Sequence, residues 1–374
     1  MIERYFKHVY CENQFLEQAV SKIKDKKFSF EDNDEMQIWI CIMSLIFSPN
    51  ISLFLDIKKE QFIRIIDEIE ERINKAAEND EEIKLSNYDN LMRDLHAAQQ
   101  DGKLSLECIG VDLLSNFESF EEKWKMNGYY LTCKDKSICN TLMADYGILA
   151  ICPNNIQNFK SIIYDDGVAI KKRDKGCWEK ILHGFLFPCN SLTIVDNYVL
   201  NDTYKMEENL SQVFRALLPE KLNEDSVFHI TIITSLRDFK KKQDLPSKIR
   251  KEKLDNLMKE IRPKLKYTIT IFKCSSDLFH DRSIITNNIL ICCGAGFELF
   301  NKQTAQKSTT INIVCPYITN TVKWANQAYT NLVTEIRALY KDIPEFSDSK
   351  KSIINDSFPS FYLGEKENRL FEME

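Results

Sequence analysis

Residues 278–297 read LFHDRSIITNNILICCGAGF, and the second half of the chain is best read outward from them. The polar residues keep the spacing H-x-R-x4-N-x6-G-A-G, from His280 through Arg282 and Asn287 to Gly294, Ala295 and Gly296. Apolar Ile284 and Ile285, polar Thr286, Asn287 and Asn288, then apolar residues from Ile289 to Cys292 predict a strand, a turn and a strand. Such a hairpin presents His280 at the end of a sheet. Side chains alternate along a strand, so His280 and Arg282 share one face and Asp281 points to the other. A histidine there can attack phosphorus or transfer a proton, and an arginine fork can hold a phosphate.

The surrounding sequence supplies the rest of an α/β unit. Residues 192–195 predict a strand ending at Asp196, residues 208–218 a helix, and residues 227–234 a second strand. That order is a βαβ crossover. Asp196 is then expected in the strand-end crevice where open α/β sheets bind ligands, on the same side as His280. Residues 240–266 hold eleven Lys or Arg against four acids, with Ile249, Leu254, Leu257, Met258 and Ile261 at roughly helical spacing. This basic helix, with Lys251 and Lys253, is a candidate contact for a phosphate backbone or an anionic membrane. Further strands are expected over 267–274 and 310–315, and a helix over 323–341. Phe346, Phe358, Phe361, Tyr362 and Leu363 suggest that the tail docks rather than hangs free.

The spacing around His280 resembles the phospholipase D superfamily, which carries H-x-K-x4-D-x6-G-S. Arg282 stands where that family has lysine, and Asn287 where it has an acid. Active members use two such motifs, and one is found here. The form with His-Asp-Arg, Asn-Asn and Gly-x-Gly-Phe-Glu-Leu-Phe is still more similar to the C-terminal domain that follows some MIT domains. That domain has a phospholipase D fold without the full catalytic motif and binds membranes. The resemblance implies a phosphate-bearing ligand held by His280, Arg282, Asn287 and Asp196, with cleavage only if a second copy restores a paired site.

The first half reads differently. Residues 36–47 predict a buried helix, 51–57 a strand ending at Asp56, and 58–77 an amphipathic helix with Phe62, Ile65, Ile66, Ile69 and Ile73 on one stripe. A helix over 88–99, a strand over 105–112 and a helix over 117–125 follow. Residues around Tyr129 to Ser137, a helix over 138–145, and a strand over 148–152 closed by Pro153 form a strand-helix-strand unit. Over roughly residues 5–160 this order resembles a PIN-like nuclease domain. The resemblance places Glu12-Asn13 at the family's first acidic motif, Asp56 or Glu60 at the middle acid, and Asp135 at the last. It implies that Glu12, Asp56 and Asp135 converge on one or two Mg2+ or Mn2+ ions for phosphodiester hydrolysis.

Composition narrows the class. The 374 residues suffice for two or three domains, and 44% hydrophobic with 28% charged content is that of a globular protein. A net charge of -6 gives no global basic signal for nucleic acid. The 12 cysteines form no C-x-x-C pair and several sit in apolar runs, as expected of reduced core thiols in a cytoplasmic protein. No Walker loop, dinucleotide fingerprint, zinc spacing or internal repeat is present.

The expectation is an α/β protein of two domains. Residues 1–165 form a PIN-like α/β sandwich, and residues 166–374 a phospholipase D-like α/β sheet. Both resemblances point to phosphodiesters, hence to a nucleic-acid-acting protein of the kind paired in prokaryotic antiviral defence. One reading is a metal-dependent nuclease with Glu12, Asp56, Asp135 and His280 as catalytic groups. The other is a non-enzymatic subunit that recognises anionic lipid, a protein partner or a second copy of itself.

Overall fold

The computed structural model describes residues 7–25, 33–47, 51–115, 128–162, 166–183, 187–235, 237–238, 243–244, 247–274, 282–316, 323–345 and 360–371. The chain divides into two compact units near residue 163. Both are α/β, with a parallel sheet in the first and a mixed sheet in the second.

The first unit runs β1 (Lys7–Cys11), α1 (Asn13–Asp25), α2 (Asn33–Ile46), β2 (Ile51–Leu55), α3 (Lys59–Glu78), α4 (Asn87–Gln100), β3 (Ser105–Cys108), β4 (Gly128–Leu131), α5 (Lys136–Tyr146) and β5 (Leu149–Ile151), then a 3-10 segment, Ile156–Ile162. The five described strands are parallel in the order β3-β2-β1-β4-β5. Strands β2, β4 and β5 are buried along their whole length, as parallel strands covered on both faces are, with Ser52 the one hydroxyl in β2. Edge strand β3 alternates exposed and buried residues instead. Helix α3 buries Phe62, Ile66 and Ile69, part of the stripe its sequence predicts. Ser86 and Asp89 close a capping box at the start of α4. Chain order reverses between β1 and β4, so their carboxyl ends flank a topological switch point.

The second unit contains β6 (Asp166–Ile170), α6 (Trp178–Leu182), β7 (Ser191–Val195), α7 (Thr203–Leu217), β8 (Phe228–Thr234), a small ribbon of β9 (Arg237–Asp238) and β10 (Gln243–Asp244), α8 (Ser247–Ile261), β11 (Tyr267–Lys273), β12 (Ser283–Thr286), β13 (Leu290–Cys293), a second ribbon of β14 (Phe300–Asn301) and β15 (Thr304–Ala305), β16 (Thr309–Val314), α9 (Lys323–Asp342) and β17 (Phe361–Leu363). The main sheet has the order β17-β11-β8-β7-β12-β13-β16-β6. Strands β7, β8 and β11 are parallel and the other pairings antiparallel. Leu192, Ile194, Ile230, Ile232, Ile269 and Ile271 form one face and join Leu210, Phe214, Leu254 and Met258 in an apolar core.

The hairpin expected after Arg282 is present as β12 and β13. Asp166–Ile170, for which the sequence offered no strand, pairs with β16 as the last strand of the sheet. Five residues with an aspartate and a glycine carry too little periodicity to signal an edge strand. The helix expected over 117–125 lies outside the described residues, as do His280, Phe346 and Phe358. Residues 360–371 pack on the protein, with Leu370 and Phe371 buried. No described helix is long and apolar enough to cross a membrane.

Candidate functional site

The carboxyl edge of the parallel sheet gathers acids from successive strand ends. Glu12 follows β1, where its backbone N–H donates to the O of Leu131, the last residue of β4, at 2.9 Å. Its side chain is 6% exposed. The Thr132 hydroxyl donates to Glu12 Oε1 at 2.5 Å, and the Cys133 amide to Oε2 at 2.7 Å. Burial raises the Glu12 pKa against those two donors. Asp56 follows β2 and accepts the Asn13 amide, the first residue of α1, at 2.7 Å. Burial raises its pKa also, with a further upward push from Asp112.

Asp112 follows β3. It accepts the Leu114 and Ser115 amides at 3.0 and 3.2 Å, and Ser115 Oγ at 2.5 Å. Lys134 Nζ donates to its Oδ2 at 2.6 Å. Burial pushes the Asp112 carboxyl up, but Lys134 and Ser115 outweigh it and hold the group below the ordinary aspartate range. The Asp112 contact raises the Lys134 pKa, and the charges of Glu12 and Asp56 add to it. Beneath the acids lies Tyr10, whose hydroxyl accepts the Leu113 amide at 3.3 Å. Burial, then Asp56, Glu12 and Asp112, keep this phenol protonated. Three carboxylates, one ammonium and one neutral phenol therefore share one electrostatic field at the switch point.

The expected trio was Glu12, Asp56 and Asp135. The structure brings Glu12 and Asp56 to the same edge and leaves Asp135 exposed as the cap of α5, its backbone oxygen accepting the Ile138 amide at 3.0 Å. The third acid in the field is Asp112. Sequence reasoning missed it, although it closes the strand predicted over 105–112 just as Asp56 closes β2. Glu60 lies exposed in the first turn of α3. Carboxylate oxygens are the donors that hard cations such as Mg2+ and Mn2+ prefer, so the donor chemistry fits. Among the described residues no three His, Cys, Asp or Glu side chains already stand as a shared cage.

In the second unit Asp196 follows β7 and is 2% exposed. It accepts the Tyr198 amide at 2.8 Å and the Phe297 amide at 2.7 Å. Burial raises its pKa; those amides, Arg282 and Lys307 pull the other way. Arg282 stands directly before β12, and Ser283 pairs with Val195, so strand register sets Arg282 beside Asp196. Arg282 Nη1 donates to Gly294 O at 2.5 Å, its guanidinium carbon lies 5.4 Å from the Tyr198 ring centre, and its buried Nε has no hydrogen-bond partner among the described residues. Gly296 has φ +85°, and a Cβ there would meet Asp196 Oδ2 at 2.8 Å. The G-A-G part of the motif thus shapes the turn that closes on Asp196 and Arg282.

Asn287 belongs elsewhere. It follows β12, five residues or roughly 16 Å of strand beyond Arg282. Its Oδ1 accepts the Asn190 and Ser191 amides at 2.9 and 3.0 Å, and its Nδ2 donates to Asn190 Oδ1 at 2.9 Å. It staples the start of β7, at the opposite sheet edge from Asp196. Lys251 and Lys253 are partnered by acids: Lys251 Nζ lies 3.0 Å from Asp255 Oδ2, and Lys253 Nζ 3.6 Å from Glu207 Oε1. At these two of the eleven bases counted over 240–266, the positive charge is therefore offset locally.

Among known proteins, no family model matches the chain, and no curated protein matches it.

Proposed function

We propose that the protein acts on nucleic acid, with the first unit as a PIN-like, metal-dependent nuclease and the second as a phospholipase D-like unit that holds a phosphate group. The observation that carries this reading is the gathering of Glu12, Asp56 and Asp112 at the switch point of a β3-β2-β1-β4-β5 parallel sheet. Open α/β sheets bind ligands at that place.

In this reading Glu12, Asp56 and Asp112 hold Mg2+ or Mn2+, which when bound polarises a phosphodiester and supplies hydroxide near neutral pH. The chain's own groups do the rest. Thr132 and the Cys133 amide fix the Glu12 carboxylate in one orientation. The Asn13 amide does the same for Asp56. Lys134 supplies the positive charge nearest the acids, a point charge suited to a backbone phosphate. Tyr10 stays neutral and sets the loop that carries Asp112. A role in prokaryotic antiviral defence is the biological setting we attach to this pairing of units, by fold-level analogy.

The test is cleavage of labelled single-stranded RNA and DNA with Mg2+, Mn2+ or chelator, by wild type, Asp56→Asn, Asp112→Asn and Asp135→Ala. The proposal expects metal-dependent cleavage by wild type and Asp135→Ala, and background levels for the other two. Equal cleavage by all four proteins, or none by wild type with either metal, overturns it.

A second reading rests on Arg282, which stands beside Asp196 and Tyr198 with an Nε that has no partner among the described residues. Here the second unit binds an anionic ligand without turnover, and its partner is nucleic acid, lipid headgroup or protein. Weakened polyanion binding by Arg282→Ala, with no cleavage in wild type, supports this reading over the first.

A further inference from the structure

The parallel strands of the second unit have two unlike faces. One is apolar and belongs to the core already described. The other carries two polar rows in register: Ser191, His229 and Thr268 across β7, β8 and β11, then Thr193, Thr231 and Thr270. A buried sheet face is ordinarily Val, Ile and Leu. Here Ser191, Thr193, His229, Thr231 and Thr270 are buried, so each needs a hydrogen-bond partner within the protein.

Residues 360–371 cover those rows with hydrogen bonds, beside Tyr340 of α9, whose hydroxyl lies 2.6 Å from Thr231 Oγ1. Asn368 Nδ2 donates to Thr231 Oγ1 at 2.9 Å and to Thr193 Oγ1 at 3.4 Å. The Thr270 hydroxyl donates to Glu365 O. The Arg369 amide donates to His229 Nδ1 at 3.2 Å, and Arg369 Nη1 to Val227 O at 2.7 Å. Strand β17 adds to the edge of β11 through Ile271↔Leu363 to Lys273↔Phe361. Apolar contacts add to these: Leu370 and Phe371 are buried, the Phe371 ring lies 5.3 Å from that of Tyr340, and the Tyr362 ring 5.8 Å from that of Phe272.

We propose that residues 360–371 form a strap that lifts from the polar face when His229 is protonated, while the sheet beneath stays folded. Neutral His229 accepts the Arg369 amide; protonated at Nδ1 it becomes a donor and the hydrogen bond is lost. Ser191 faces it from β7, Thr268 from β11 and Arg369 from the strap, and of these only Arg369 is charged. A second cation beside Arg369 is repelled. Burial, then Arg369, lowers the His229 pKa to about 4, so the latch is closed near neutrality and weakens as pH falls below the ordinary histidine range. Lifting the strap unpairs Ile271–Lys273 at the edge of β11.

Hydrogen exchange of the full chain at pH 7 and pH 5, corrected for the intrinsic pH dependence of exchange, tests this. Wild type is expected to lose protection in 360–371 by about tenfold or more at pH 5, with β7 and β8 still protected. His229→Asn keeps an acceptor that does not titrate and should show no such change. Gly364 provides an independent handle: its φ is +107°, and a Cβ would overlap Ile269 O. Gly364→Ala should therefore free the strap at pH 7. The proposal falls if wild-type 360–371 keeps its protection at pH 5, if strap and sheet lose protection together, or if His229→Asn behaves as wild type.

Discussion

Gly296→Ala and Gly294→Ala form a matched pair that tests whether the G-A-G turn exists to close on Asp196. The two glycines lie two residues apart in the same turn, yet their surroundings differ. At Gly294 a Cβ would meet only Thr309 Oγ1, at 4.0 Å. At Gly296 the backbone is left-handed, and a Cβ would lie 2.8 Å from Asp196 Oδ2 and 3.0 Å from Arg282 Cδ. Holding alanine in that conformation costs about 1–3 kcal/mol. Asp196 is buried and cannot yield without weakening its 2.7 Å bond from the Phe297 amide, a hydrogen bond to a charged group worth roughly 1.5–3 kcal/mol. The sum is about 3–5 kcal/mol for Gly296→Ala, against about 0.5 kcal/mol or less for Gly294→Ala. Urea unfolding followed by tryptophan emission reads the difference, because Trp178 Nε1 donates to Phe297 O at 2.9 Å. With a slope of about 2–3 kcal/mol per molar urea, the Gly296→Ala midpoint should fall by about 1–2 M. Equal midpoints for the two variants would refute the argument, and with it the claim that Phe297 and Asp196 set the turn.

Lys134→Met should cost about 1 kcal/mol or less in stability, because both Lys134 and Asp112 side chains are 34% exposed. The Asp112 pKa is depressed in the fold, so this contribution is present above the ordinary aspartate pKa and vanishes as pH falls through the folded value; urea midpoints at pH 7 and pH 3 should show the variant and wild type converging in acid. Arg262→Met should cost about 2–4 kcal/mol, since the buried guanidinium donates to Leu218 O, Ile261 O and Arg215 O, and the carbonyls ending α7 would lose their donor; a thermal shift of less than 1 °C would contradict this. Asn287→Ala should destabilise by about 2–3 kcal/mol and leave polyanion affinity unchanged, and a loss of affinity without a loss of stability would return Asn287 to the ligand site. Reversing Lys251 and Lys253 to Glu should change the salt slope of polyanion binding by about one ion or less, because both already face carboxylates; a drop of two or more would make α8 a phosphate contact.

The sequence alone determined what local chemistry can determine. Alternating and 3.6-residue periods located the β12–β13 hairpin, the β7-α7-β8 crossover and helix α3, because side-chain direction is fixed by the backbone of each element. Strand-end placement marked Glu12, Asp56 and Asp196, since a polar residue that stops an apolar run lies at the edge of a sheet. Tertiary structure decided which edges meet. The order β3-β2-β1-β4-β5 sets Asp112, not Asp135, in the field of Glu12 and Asp56, and crossovers of a dozen residues or more carry no record of which parallel strands will pair. Antiparallel register likewise put Arg282 and Asn287 at opposite ends of β12, although the linear motif joins them. The polar rows on β7, β8 and β11 were visible as threonines, but that residues 360–371 would cover them followed only from packing more than a hundred residues away along the chain.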